Sequence, residues 1–271
     1  MRVEKQNYKD VHSQVRYIKK IFEDENIQIN EQSFLYKLLA NVLNNYKEEP
    51  DRYSVIFDAL HIYRIHTALV NLEGFENKNR YLIDLLKGTL DFMDVEQSHA
   101  KNILFELEVA GTLRKKFKHT FLNEPDIVVS FDDGNVDVAC RKVVSKQNLQ
   151  KQLSKAVKQI KNNEFLFGIV AINIDNALPR KTILNAKTRY ESMELLDSEV
   201  VKFFNEHDRH FKKYLDSGRV MGILLVASTI VDIEDEKPRF LNISQSLLFV
   251  SANLEEEYFD KINKFKVLED L

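Results

Sequence analysis

The spacing of apolar residues changes near residue 117. Before that point, apolar residues recur every three or four positions, which is the period of an amphipathic helix. Asn30 is the predicted N-cap of the second helix, because an asparagine side chain can accept hydrogen bonds from free helical amides. The pattern predicts helices over residues 11–22, 34–43, 53–72, 77–92 and 103–117.

After residue 117 the pattern becomes that of short strands alternating with helices. The Asp-Gly pair at residues 133–134 lies between two β-favouring runs and predicts a hairpin. Strands are expected over residues 120–122, 127–131, 136–141, 165–174, 220–231 and 240–250, with helices over 146–162, 186–215 and 254–265. The predicted fold class is α/β, with an α-β-β-β-α-β order that begins near residue 103.

The length of 271 residues favours two structural units. We expect a helical N-terminal region over residues 1–95 and an α/β domain over residues 96–271. The net charge of −3 is not that of a typical nucleic-acid-binding protein, but residues 101–164 contain twelve Lys or Arg against eight Asp or Glu. A local basic surface is therefore the place to look for a polyanionic partner.

Several features bear on compartment and reaction class. The only cysteine, Cys140, cannot form an internal disulfide and lies in an apolar strand pattern, so it is expected to be a buried packing residue. The N-terminus lacks an apolar signal core and no run is long enough to span a bilayer, so a cytoplasmic protein without membrane contact is expected. No Walker A loop, dinucleotide turn, serine elbow or zinc-type cysteine pair is present.

Glu106 falls near the middle of the apolar face of the helix over residues 103–117. A carboxylate on a buried face needs a paired cation, a hydrogen-bond donor or a metal ion. Glu108 points the other way, toward solvent, and is expected to need no partner. Glu106 is therefore a metal ligand, one half of a buried salt bridge or a hydrogen-bonded acid in the core.

Two further acids are predicted on adjacent strands. Asp137 and Arg141 share a strand face because side chains alternate, and Asp126 begins the neighbouring strand of the hairpin. Glu106, Asp126 and Asp137 could thus meet beside Arg141 and Lys142, and oxygen ligands of this kind suit Mg²⁺ or Mn²⁺. The alternative is that Asp126 and Asp137 only flank turns, where aspartate is common.

The helix over residues 146–162 has a basic side. Lys151, Lys155 and Lys158 lie opposite its apolar stripe, where they could follow a phosphate backbone or simply be solvated. Gln159 flanks the stripe and could reach a substrate or cap a neighbouring element.

The order of these parts resembles that of the PD-(D/E)XK nuclease superfamily. The resemblance covers about residues 100–175, and it rests on Phe-Glu106-Leu, Glu-Pro-Asp126-Ile-Val-Val, Asp137-Val-Ala-Cys-Arg-Lys142 and Ala156-Val-Lys-Gln159-Ile. It implies a restriction-endonuclease-like core with a mixed central sheet. It also implies a Mg²⁺- or Mn²⁺-dependent nuclease, with DNA as the expected substrate and a homodimer as one possible assembly.

The resemblance makes Glu106 and Asp126 metal-site acids and gives Arg141 or Lys142 the role of the lysine. The sequence departs from the family at Ala139, which stands where a second strand acid is expected, so the branch reads Ala-Cys-Arg-Lys. Arginine stays protonated and cannot act as a general base. Asp137, about 7 Å away along the strand, could supply a displaced carboxylate. The alternative is a catalytically deficient nuclease-fold protein that binds nucleic acid or a protein partner.

Overall fold

The computed structural model describes residues 10–46, 53–123, 126–161, 168–178, 183–236 and 239–271. Pro125 and Glu124, which precede Asp126 in the motif, lie outside the described residues, as does the first part of the strand expected over 165–174. None of the helices in the described part of the chain is long and apolar enough to cross a membrane.

The N-terminal part is helical, as predicted. Its helices are α1 Val11–Asp24, α2 Phe34–Asn45, α3 Tyr53–Leu72, α4 Lys78–Leu85 and α5 His99–Lys116. The N-cap prediction for α2 is wrong: Ser33 caps the helix by accepting a hydrogen bond from the Tyr36 amide, while Asn30 holds the preceding turn through the Gln32 amide. Helix α4 ends earlier than expected, before Gly88, whose φ of +123° is incompatible with a continuing helix.

The rest of the described chain is built on a mixed seven-stranded sheet. Its strands are β1 Thr120–Asn123, β2 Asp126–Phe131, β3 Gly134–Lys142, β4 Gly168–Asn173, β5 Leu184–Ala186, β6 Gly222–Ile233 and β7 Phe240–Val250. Strands β1, β2 and β3 form an antiparallel meander, and β3 then pairs with β4 and β4 with β6 in parallel. Strand β6 also pairs with β5 in parallel and with β7 in antiparallel orientation.

Four further helices connect or follow these strands: α6 Leu149–Lys161, α7 Arg189–Glu206, α8 Asp208–Leu215 and α9 Glu256–Lys264. The single long helix expected over 186–215 is wrong. Thr188 starts α7 by accepting a hydrogen bond from the Glu191 amide, and the chain breaks at His207, whose φ of −120° is not helical. The predicted α-β-β-β-α-β order is present as α5, β1, β2, β3, α6 and β4.

Two hydrophobic cores cover the two faces of the sheet. Val136, Val138 and Cys140 of β3 belong to the core shared with α5, while Ala139 belongs to the core shared with α6 and α7. Helices α1 to α4 contribute to the first of these cores together with α5. The predicted division near residue 95 stays a prediction, and the N-terminal helices complete the layer that α5 begins.

Candidate functional site

Asp126 and Arg141 meet across the β2–β3 hairpin. The turn places Phe131 opposite Gly134, and this register sets Ile127 opposite Val138, so that Asp126 lies at the level of Ala139. Arg141 Nη1 donates to Asp126 Oδ2 over 2.9 Å, and the amide of Cys140 donates to the same oxygen over 2.7 Å. The hairpin alone therefore builds an anchored, largely buried ion pair.

Gln159 reaches this ion pair from α6. Its side-chain oxygen accepts a hydrogen bond from Arg141 Nη2, and its Nε2 lies 3.4 Å from Asp126 Oδ1. Gln159 thus contacts both members of the pair, which fixes the guanidinium against the carboxylate. The sequence left open whether Gln159 reaches a substrate or caps a neighbouring element. In the structure it contacts the ion pair between Asp126 and Arg141.

Glu106 approaches from α5, on the other side of the sheet. Its side chain is half-buried, and no hydrogen bond or ion pair involves its carboxylate within the described residues. Burial and the negative charge of Asp126 raise the pKa of Glu106 to about 8, against the opposing effects of Arg141 and Arg80. Among the described residues, the Glu106 carboxyl therefore has no hydrogen-bonding or ion-pair partner, and it lies near a second carboxylate.

Asp137 does not join Glu106 and Asp126. The register places it opposite Val128, two positions along the strand from the level of Asp126, and its side chain is only 1% exposed. Among the described residues, no three His, Cys, Asp or Glu lie close enough to hold a metal ion. The expected convergence of three carboxylates is thus not found, because alternation fixes the face of a side chain but not its height along the strand.

Lys142 lies on the opposite face of β3 from Arg141 and belongs to a different cluster. Its Nζ is 2.7 Å from Asn173 Oδ1 and 3.2 Å from Asp175 Oδ2, and burial lowers its pKa. Asp175 also accepts hydrogen bonds from the amide and the hydroxyl of Ser228 on β6, at 2.6 and 3.0 Å. Lys142 therefore ties together the ends of β3, β4 and β6 and does not reach Asp126.

A second ion pair borders this cluster. Arg64 of α3 makes a two-point contact with Glu108 of α5, with Nη2 and Oε2 2.9 Å apart, and both side chains are largely buried. Burial alone would raise the pKa of Asp175, but Lys142 and Arg64 with the surrounding donors lower it to about 2. The expectation that Glu108 faces solvent is wrong, because α3 packs on the side of α5 that a helical wheel leaves empty.

Arg64 and Asp175 were not among the residues that the sequence singled out, although the sequence carries a signal for each. Arg64 is the only Lys or Arg in α3, and Asp175 follows a strand that is buried at every position. A lone charge in such surroundings requires a partner.

The basic side of α6 is present as predicted. Lys151, Lys155 and Lys158 are exposed, and within the described residues no ion pair involves them. Helix α6 contains no Asp or Glu, so its outer side is purely cationic. Cys140 is buried and free, which agrees with a packing residue.

No family model matches the chain, and no curated protein is similar to it.

Proposed function

We propose that the chain is a metal-dependent nuclease-like protein that hydrolyses phosphodiester bonds, with DNA as the expected substrate. The observation that carries the proposal is the placement of the Glu106 carboxyl, which makes no hydrogen bond or ion pair within the described residues, near Asp126 and the cation of Arg141. The α5-β1-β2-β3-α6-β4 order supports a restriction-endonuclease-like core. A core of this kind has one acid on a helix and one on a strand, at the end of the hairpin away from its turn. Glu106 and Asp126 have these positions.

Glu106 and Asp126 fit Mg²⁺ or Mn²⁺ as a two-carboxylate site. Mg²⁺ in phosphoryl-transfer sites is commonly held by one or two carboxylates, with water and substrate phosphate as the other ligands. With a pKa of about 8, Glu106 carries a proton at neutral pH, and a divalent cation would replace that proton. When bound, the cation supplies positive charge that polarises the phosphoryl group.

The chain's own side chains supply charge and orientation. The guanidinium of Arg141 is a cation that can stabilise negative charge on phosphoryl oxygens. Gln159 holds that guanidinium in place. Lys151, Lys155 and Lys158 provide attraction for a phosphate backbone on the same side of the sheet. Neither Arg141 nor Lys142, which lies on the opposite face of β3, is placed to remove a proton, so these side chains supply charge and not a general base.

The second candidate is a catalytically deficient protein of the same fold that binds nucleic acid or a protein partner. Two observations favour it. Both carboxylate oxygens of Asp126 already have donors in Cys140, Arg141 and Gln159, and Ala139, at the same level on β3, supplies no acid. A metal ion would have to compete with the guanidinium of Arg141 for Asp126.

Cleavage assays separate the two candidates. Single- and double-stranded DNA and RNA are incubated with the protein in Mg²⁺ or Mn²⁺, with a chelator as the negative control. An active nuclease loses cleavage in chelator and in Asp126→Asn and Glu106→Gln, while Asp132→Asn, an exposed acid at the far end of the same hairpin, keeps it. No cleavage, together with no calorimetric heat from either metal, would favour the deficient protein.

A further inference from the structure

A strip of the sheet beside Asp126 is open to solvent. We call it the open strip, and define it by Phe121, Asn123 and Val128. The Phe121 side chain on edge strand β1 is 50% exposed, Asn123 is exposed, and Val128 on β2 is partly exposed. Thr120 and Leu122 point the other way, into the core that contains α5. Because side chains alternate along a strand, the Phe121 ring on this edge strand faces solvent.

The open strip lies on the same sheet face as the ion pair. Phe121 pairs with Val128, and Asn123 pairs with Asp126, so these four side chains share one face. Diagonal neighbours on adjacent strands lie about 7–8 Å apart. The exposed ring of Phe121 is therefore one strand away from the proposed cation ligand Asp126.

Cations border the open strip on two sides. Lys155 and Lys151 precede Gln159 by one and two helical turns on the same side of α6, and Gln159 itself contacts Asp126. On the other side, Lys118 is exposed on the segment that leads from α5 into β1. A polar, cationic border around a single aromatic ring suits a polyanion better than the apolar surface of a protein partner.

We propose that the open strip binds a single-stranded segment of nucleic acid, with one unpaired base stacked on Phe121 and phosphates farther along the same strand on Lys151 and Lys155. This inference rests on the proposed function and names its substrate class. Stacking on a protein ring requires a free base face, and in a duplex the base faces are covered by neighbouring pairs. A strand bound in this way would pass over Asp126 and Arg141.

Binding is measured in chelator, so that the readout does not depend on cleavage. Fluorescence anisotropy gives the affinity for a labelled single-stranded oligonucleotide and for its duplex, and an oligonucleotide with 2-aminopurine reports stacking directly. The variants are Phe121→Ala and Phe121→Trp, with Phe259→Ala as the matched control. Phe259 on α9 is 48% exposed, and α9 packs on the opposite face of the sheet.

The wild type is expected to bind the single strand more tightly than the duplex. Phe121→Ala should weaken that binding roughly 5- to 100-fold and abolish the 2-aminopurine signal, while Phe121→Trp and Phe259→Ala keep both. Because the position is half exposed, thermal melts should show that each variant folds.

Three results would overturn the inference. Equal single-strand affinities for Phe121→Ala and Phe259→Ala would remove the stacking role, even if metal-dependent cleavage is observed, and the proposed function would then stand without it. A change in sedimentation with unchanged oligonucleotide binding would assign the open strip to contacts between copies of the chain. Absence of both oligonucleotide binding and cleavage in the wild type would reject the inference together with the proposed function.

Discussion

Arg141 donates a 2.9 Å hydrogen bond to Asp126 from the adjacent strand of the same hairpin. The pair is largely buried, and Gln159 and the Cys140 amide complete its hydrogen bonds. A buried carboxylate whose cation is removed keeps its desolvation penalty without compensation. Breaking the pair should therefore change both the stability of the hairpin and the charge at the proposed site.

A double-mutant cycle measures the interaction energy between Arg141 and Asp126. Arg141→Met and Asp126→Asn should each destabilise the protein by about 1–3 kcal/mol, because each leaves a buried polar partner unsatisfied. The double variant should be less destabilised than the sum, with a coupling energy of at least about 0.5 kcal/mol in urea unfolding. Strictly additive effects would mean that the two groups do not interact in solution.

Glu106 should make the stability of the metal-free protein depend on pH. Its folded pKa of about 8 lies above the ordinary pKa of 4.5 for a glutamate, so between these values the folded state binds more protons than the unfolded chain. The contribution of Glu106 is therefore fully present below about pH 4.5 and is lost as pH rises toward 8.

Glu106→Gln removes this dependence. Its free energy of unfolding should exceed that of the wild type by a margin that widens from pH 5 to pH 8, reaching at least about 1 kcal/mol, since one pKa unit corresponds to about 1.4 kcal/mol. Urea unfolding in chelator at several pH values provides the measurement. A margin that does not change with pH would contradict the raised pKa.

Asp175 should make the stability of the protein depend on pH in the acidic range. Its folded pKa of about 2 lies below the ordinary pKa of 3.8 for an aspartate, so its contribution to stability is present above pH 3.8 and is lost as pH falls toward 2. Lys142→Met leaves Asp175 buried without its nearest cation and should cost about 3–5 kcal/mol at neutral pH. Adding Asp175→Asn should recover part of that loss. If the double variant is no more stable than Lys142→Met, the two charges are not coupled.

Lys155 should contribute to nucleic-acid binding through charge alone. Lys155→Gln is expected to weaken oligonucleotide binding for all sequences and to reduce the slope of log K against log salt by about 1. Lys213→Gln, at an exposed position on α8, is the matched control. Equal salt slopes for the two variants would place the phosphate path away from α6.

The sequence predicted the parts of the site that depend on local pattern. The hairpin follows from Asp-Gly between two β-favouring runs, and the cationic side of α6 follows from helical spacing. The longitudinal offset of Asp137 depends on strand register, which the alternation of side chains does not determine. A helical wheel likewise could not assign Glu108, because it assumes one solvent face and α5 is packed on both sides.

The cluster around Lys142 could not be predicted from local sequence patterns either, for a different reason. Arg64, Glu108, Asp175 and Ser228 come from four separate elements, and only the assembled sheet brings them to Lys142. Arg64, Glu108 and Asp175 are charged residues in largely apolar stretches, and Ser228 is a neutral residue of a largely buried strand, so their sequence neighbours do not indicate that they meet. Long-range pairing of such charges requires knowledge of the strand order.

The residues of the two clusters around β3 are completed at different stages of synthesis. Glu106, Asp126, Arg141 and Gln159 all lie between residues 106 and 159, so the growing chain contains the whole proposed centre before β4 is made. The groups that hold the end of β3 come later: Asn173 and Asp175 accept hydrogen bonds from Lys142, and Ser228 of β6, which donates to Asp175, is the last of them. A nascent chain would thus carry every charged group of the centre well before the sheet that holds Lys142, and with it the strand that bears Arg141, is complete.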